Sequence, residues 1–352
     1  MNEAHQSERL EGLDLIRTLA IILVIFIHCM TPGFDKLEFI DSLSGFTKVF
    51  HFTWFSIGRI GVPLFLYLSG YLLLSRNYDE DKTKRFYKHN FFTLLLTWQI
   101  WILIYNICQI YFEQHPFSWS VYIKNALFLQ HCSVFHAWYM EVILGIYLFI
   151  PFISRTLHNM NDREILTLTA ISFIYLFVVP TLNHFTSTPK YSPLDLSFSG
   201  GMYGFYLIVG YLIKRFEVKF HGISKVNTLI LVLITISMAT VAQIYGSADG
   251  RIYHLWYDFC LLPVTSLLIF ISLKDLHLKK FSNLITTISK YSFGIYLVHV
   301  IFPVTMFKFN LLNFISTNEL RMITAFIATA ILSLPTAMLL RKIPRLGNIL
   351  IR

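Results

Sequence analysis

LDLIRTLAIILVIFIH, residues 13–28, sets an aspartate, an arginine and a histidine into an otherwise apolar run. On a helix turning about 100° per residue, Arg17 and His28 are separated by roughly 1100°. They therefore lie about 20° from a common face, with a rise of ~16 Å between them. Asp14 precedes Arg17 by one turn on that face. The stripe thus carries an ion pair at one end and an imidazole at the other. A run of this length approaches the ~20 residues that cross a bilayer. On the ordinary reading, Asp14 and Arg17 anchor a helix end by snorkelling and His28 is interfacial. On the functional reading, costly polar groups at membrane depth mark a path or a site.

Composition extends this helix to the whole chain. Of 352 residues, 55% are hydrophobic, 14% are charged and 33 are Phe. A soluble domain carries about a quarter charged residues on its surface, so this chain has lipid as its solvent. Ten apolar segments recur, near 13–30, 55–74, 90–112, 135–154, 165–182, 200–214, 227–245, 255–273, 291–309 and 322–340. The expected fold is all-α, one polytopic membrane helix bundle over residues 1–352. Residues 1–12 hold Glu3, Glu8 and Glu11 against Arg9, which is not a signal-peptide n-region. The first helix is therefore expected to stay.

Most of the 29 Lys and Arg residues cluster in segments 76–88, 155–163, 214–225, 274–290 and 341–352 and at the N-terminus. Single ones, such as Lys36, Arg59 and Lys190, fall in the alternate loops. This alternation fits ten helices with both termini cytoplasmic. The net charge of +9 follows from the same clusters, and no nucleic-acid partner is expected. No internal repeat is visible, which weakens a transporter reading. Cys29, Cys108, Cys132 and Cys260 lack CxxC spacing and histidine partners, so no metal site is expected from them.

On this topology several further polar groups share the depth of His28. Arg59 lies a turn inside the second segment and needs a counter-charge or an anion. Glu141 is the acidic residue deep enough to be its partner. His136, Trp138 and Glu141 open the fourth segment. His254 and Asp258, four apart on one helical face, open the eighth. His299 falls halfway along the ninth, sharing a face with Ser292 and Tyr296. His136, His254 and Asp258 are each compatible with an ordinary interfacial position. Together they outline a polar cavity, in which a histidine suits general-base activation of a hydroxyl. An arginine there suits an anion or a developing oxyanion. The loop RNYDEDKTKRFYK, starting at Arg76, fits either a phosphate-bearing donor or plain positive-inside topology.

Four ordered stretches resemble the integral-membrane acyltransferase family 3. They are the opening helix, GRIGVPLFLYLSGYLLL (58–74), HAWYMEVILGIYLFIPFI (136–153) and YSFGIYLVH (291–299). One departure is LFLYLSG, with Leu66 and Leu68 where the family is often Phe-rich. No appended extracytoplasmic hydrolase-like domain accompanies these motifs, so the chain is expected to act alone or with a separate partner.

The resemblance implies transfer of an acyl group, usually acetyl from cytoplasmic acetyl-CoA, to a hydroxyl of a cell-envelope glycan in a bacterial cytoplasmic membrane. It carries His28 over as the essential histidine, and Arg17, Arg59 and His299 as motif residues. The expected catalytic set is His28, Arg59 and Glu141. Arg17, Asp14 and Arg76 are expected at the donor, and His136, Trp138, Tyr296, His299, His254 and Asp258 at the acceptor. No metal is expected. Two rivals are a proton-coupled transporter or glycan exporter using the same groups and a non-catalytic scaffold.

Overall fold

The computed structural model describes residues 2–113, 116–132, 134–186, 191, 194–220, 224–248, 250–276, 278–344 and 346–351. Among these the chain is helical, without a strand. α1 (Asn2–His28) is followed by α2 (Leu37–Ser42), α3 (Gly45–Gly58) and α4 (Gly61–Ser69), the last extended by a π-helical turn, Gly70–Leu74. α5 (Glu80–Phe86) passes through a π turn into α6 (Phe92–Glu113). Next come α7 (Trp119–Ala126), α8 (Trp138–Asn159), α9 (Asp162–Phe173), α10 (Val179–His184), α11 (Gly201–Arg215) and α12 (Lys225–Gly246). α13 (Leu261–Leu273), α14 (Ser282–Val298), α15 (Ile301–Lys308), α16 (Asn318–Arg341) and α17 (Gly347–Leu350) complete the chain.

Among the described residues six helical stretches are long and apolar enough to cross a membrane. They are Gly45–Leu74, Glu80–Tyr111, Trp138–Asn159, Asp162–His184, Lys225–Gly246 and Asn318–Arg341. α14 and α15, bent by 45° against each other, make a seventh if taken as one span. α11 and α13 are shorter, at 15 and 13 residues. α1 carries Glu11, Asp14 and Arg17 about its middle. The protein is a multi-pass membrane protein.

α1 is the central helix, with Ile16, Ala20 and Ile21 fully buried against α14, α4 and α3. Two glycines let α4 and α11 touch at the backbone. A Cβ on Gly70 would stand 2.0 Å from the Leu207 carbonyl oxygen, and one on Gly210 would stand 2.2 Å from that of Tyr67. Small residues at crossings are how membrane helices gain packing without a hydrophobic drive. Gly70→Ala or Gly210→Ala should cost at least about 1–3 kcal/mol, because backbone cannot step aside as a side chain does. A lowered midpoint of thermal unfolding in detergent is the expected result, and unchanged midpoints would deny the close contact.

Two prolines interrupt helices where the chemistry sits. Pro63 has no N–H for the Arg59 carbonyl, and its ring crowds that carbonyl, so α3 ends and α4 begins around Arg59 and Ile60. Pro303 stands in the same relation to His299. The His299 carbonyl instead accepts from Phe302 N at 3.2 Å, and the helix bends there. His299 thus caps α14 rather than lying halfway along an unbroken helix.

The expected eighth segment also begins late. Residues 251–256 are not helical, because the chain is pinned inward instead. Tyr253 N donates to Ser247 Oγ at 2.7 Å, and Leu255 N donates to the buried Gln243 Oε1 at 3.0 Å. His254 and Asp258 therefore do not share a helical face.

Candidate functional site

Arg17 is held in one orientation by two partners. Its Nη1 is 3.5 Å from Asp14 Oδ1 and donates to Ser289 Oγ at 3.1 Å, while Ser289 donates to Asp14 at 2.6 Å. The guanidinium borders a cavity of about 370 Å³. Arg76 and Lys290 border it as well. Its body is apolar, with Phe65, Leu68, Leu72, Leu94, Ile143 and Phe293, and Tyr139, Tyr147 and Tyr296 add hydroxyls. On the π-extended α4 the lining residues are Phe65, Leu68, Ser69, Leu72 and Leu73, a stripe at helical spacing, with Arg76 just beyond its end.

Two lysines of the 76–88 segment pair within it. Lys82 and Lys84 pair with Asp79 and Glu80 at 3.2 and 2.6 Å. The Lys82 backbone N–H, capping α5 on Asp79, holds that carboxyl below the usual carboxylate range. Of the two arginines in the loop, Arg76 reaches the cavity.

Beyond Tyr296 three histidines meet. The His28 and His299 rings stack at 5.0 Å, and His136 stands edge-on to them at 6.1 and 5.4 Å. Their tautomers follow from their partners. His299 Nδ1 lies 2.7 Å from the Tyr296 carbonyl and 3.2 Å from that of Ile295. A carbonyl only accepts, so Nδ1 carries the hydrogen, and Nε2 of the neutral ring is a lone pair. His28 Nδ1, 2.7 Å away, must donate to it. His28 Nε2 is then a lone pair too, with no hydrogen bond among the described residues. A base oriented from behind is the geometry of general-base catalysis.

Arg59 sits among aromatic rings, its Cζ 4.6 Å from Phe55, 4.4 Å from Trp256 and 5.1 Å from Tyr257. Nη1 donates to the Tyr257 hydroxyl at 3.3 Å, whereas buried Nε has no partner among the described residues. Gly58, next to Arg59 in the chain, packs on Ile27, next to His28: a Cβ on Gly58 would stand 2.6 Å from Ile27 Cβ. Glu141 is not its counter-ion. That carboxylate pairs with His131 and accepts from Cys132 N at 3.2 Å, because the turn of chain before α8 folds back onto the helix start. Arg59 has no carboxylate partner among the described residues. Cation–π contacts, each worth up to about 2 kcal/mol when desolvated, hold the charge instead.

Trp138 joins this group, with its ring 5.8 Å from Trp256 and 5.3 Å from Tyr257. His254 and Asp258 stand on its border. His254 Nε2 donates to the Phe34 carbonyl at 2.9 Å, and Asp258 Oδ1 is buried without a partner among the described residues. Among those residues no three His, Cys, Asp or Glu side chains are grouped as metal ligands.

Sequence reasoning missed Ser289, Lys290, Tyr105, Trp256 and Tyr257. Ser289 and Lys290 immediately precede the YSFG motif, and Trp256 and Tyr257 lie in an aromatic run, HLWYDF. Tyr105 lies in α6 beside Asn106 and between Gln99 and Gln109, and nothing in the sequence sets it apart from the other aromatic residues.

Proteins of Staphylococcus aureus strains MSSA476, MW2 and N315, each named "Probable poly-beta-1,6-N-acetyl-D-glucosamine export protein", are 24% identical over 306 residues, covering 84% of this chain and 84% of theirs. No solved structure matches. The acyltransferase domain family matches residues 10–342, from before the Asp14–Arg17 pair to the end of α16, and the chain belongs to that family.

Proposed function

We propose that the chain is a membrane O-acyltransferase that moves an acetyl group from cytoplasmic acetyl-CoA to a hydroxyl of a cell-envelope glycan. The single observation that carries this reading is the relay ending in a lone pair on His28 Nε2, whose partner His299 stands 5.9 Å from Tyr296, a wall residue of the cavity that Arg17, Arg76 and Lys290 border. Arg17, Arg76 and Lys290 suit the phosphates of the donor, and the apolar body suits its thin arm. His28 Nε2 takes the proton of the acceptor hydroxyl as its oxygen bonds to the thioester carbon. The carbon–sulfur bond breaks, and the proton passes from His28 to the departing thiolate. Arg59 faces the negative charge developing on the acyl oxygen. Trp138 and Trp256 offer a sugar ring a stacking surface, with Asp258 and His254 as hydrogen-bonding groups at its edge.

In this reading the chain is one integral-membrane unit in a bacterial cytoplasmic membrane. α1, α11 and α13 add to the seven longer stretches to make ten crossings, and the basic clusters keep both termini cytoplasmic.

Radiolabel transfer from acetyl-CoA to glycan by purified protein tests the reaction. Mass spectrometry of envelope glycans with and without the gene identifies acyl group and acceptor together. Arg17→Ala should raise the KM for acetyl-CoA roughly ten- to hundredfold, the scale of a charge-assisted hydrogen bond. Added salt should weaken donor binding less in that variant than in the wild type. An unchanged KM would remove Arg17 from the donor site.

Export of the glycan is the second reading, favoured by the names of the staphylococcal relatives. It predicts flux of glycan across vesicles without turnover of acetyl-CoA.

A further inference from the structure

His136 is 1% exposed, and its two ring nitrogens are unequally used. Nε2 lies 3.0 Å from the Tyr105 hydroxyl, whose single hydrogen goes to the Leu297 carbonyl at 2.7 Å. The hydroxyl is therefore an acceptor towards His136. Nε2 carries the ring hydrogen, and Nδ1 of the neutral ring is a bare lone pair. That Nδ1 is buried and makes no hydrogen bond among the described residues.

Buried acceptors without partners are rare in a resting fold and call for an explanation. This one is held firmly. Tyr105 fixes the far nitrogen, and the His136 carbonyl accepts from the Tyr296 hydroxyl at 2.7 Å. Tyr139 and Met140, one turn along α8, line the cavity, as does Tyr296. The His136 and His28 rings are 6.1 Å apart. Two lone pairs, one on each of these neighbouring rings, thus stand behind Tyr139, Met140 and Tyr296 of the cavity wall, although the acyl-transfer reading uses one.

We propose that His136 Nδ1 accepts a hydrogen bond from an N–H or O–H of bound substrate beside the reacting carbonyl, and so sets the register of the acyl group against His28. The proposal rests on the acyl-transfer reading. Two sources supply such a group: the amide N–H of the donor's arm nearest its sulfur, or a hydroxyl or amide N–H adjoining the acceptor's reacting hydroxyl. His136 touches the substrate without exchanging a proton, whereas His28 takes one up and returns it.

The test uses the full chain in nanodiscs, acetyl-CoA as donor and a β-1,6-linked N-acetylglucosamine oligosaccharide as acceptor. His136→Phe should lower kcat/KM on the order of ten- to hundredfold, the scale of one buried hydrogen bond. His136→Gln, whose amide oxygen accepts, should recover most of that loss. A raised KM for acetyl-CoA assigns the partner to the donor, and a raised KM for the oligosaccharide assigns it to the acceptor. Equal losses in the Phe and Gln variants with both KM values unchanged would mean a structural role and overturn the proposal. Wild-type behaviour of His136→Phe would overturn it as well. If His136→Phe does not fold, Tyr105→Phe decides, since it frees the ring from its anchor. A smaller rise in one KM is then expected, and no rise in either overturns the proposal. Wild-type protein that transfers nothing defeats the acyl-transfer reading and this inference together. Active wild type with unaffected variants defeats this inference alone.

Discussion

His28→Ala should lower acyl transfer by roughly 10²- to 10⁴-fold, the usual contribution of a positioned general base, while binding of coenzyme A persists. The two readouts separate because the cationic margin of the cavity, at Arg17, lies ~16 Å along α1 from His28. His299 gives the same experiment a second arm. The Tyr296 and Ile295 carbonyls fix its Nδ1–H, so its Nε2 receives the His28 Nδ1–H at 2.7 Å. His299→Gln retains an oxygen that can receive this hydrogen, and His299→Phe does not. The expected order of rates is wild type, His299→Gln, His299→Phe, His28→Ala. Initial rates of label transfer, with detergent unfolding midpoints to confirm folding, check the order. If His299→Phe ran at the wild-type rate, orientation from behind would be irrelevant. Full activity in His28→Ala would end the general-base reading.

Much of this layout was legible in sequence, for reasons specific to lipid. Charged groups within apolar runs are rare because they are costly, so Asp14, Arg17, His28, Arg59 and His299 stood out. The structure gathers them into two adjoining groups, a cavity and a cluster of histidines and caged arginine. Register along one helix was also readable. Ser292 and Tyr296, expected on one face, both line the cavity, whereas His299, expected on that face halfway along a helix, ends α14 and joins the histidine cluster.

Pairing across the bundle was not readable. Glu141 matched Arg59 in depth, but depth does not fix azimuth, and its carboxylate goes to His131 and Cys132. The spacing of His254 and Asp258 presumed a helix where a hydrogen-bonded loop is pinned instead. The proline placed four residues after both Arg59 and His299 was in plain view. It marks where a helix must release a carbonyl and would have located both breaks.

Arg59 carries the second large effect. Its charge sits inside three rings with no carboxylate beside it among the described residues, an arrangement that leaves the cation available to an incoming negative charge. A preorganised donor to a developing oxyanion contributes about 10²- to 10³-fold to turnover, so Arg59→Met, which keeps length and packing, should lose that much in kcat. Arg59→Lys should recover part of it, because the charge returns but the planar fork that stacks on Trp256 does not. The division between kcat and KM identifies the ligand of the guanidinium. Charge that forms only in the transition state lowers kcat and leaves both KM values alone, whereas an anionic group on the acceptor raises the acceptor KM with kcat preserved. Loss confined to kcat is expected, since Gly58, beside Arg59, packs directly on Ile27, beside His28, and the base and the developing oxyanion must lie together. A variant that lost only stability, with both constants intact in the folded fraction, would reduce Arg59 to a stacked structural cation.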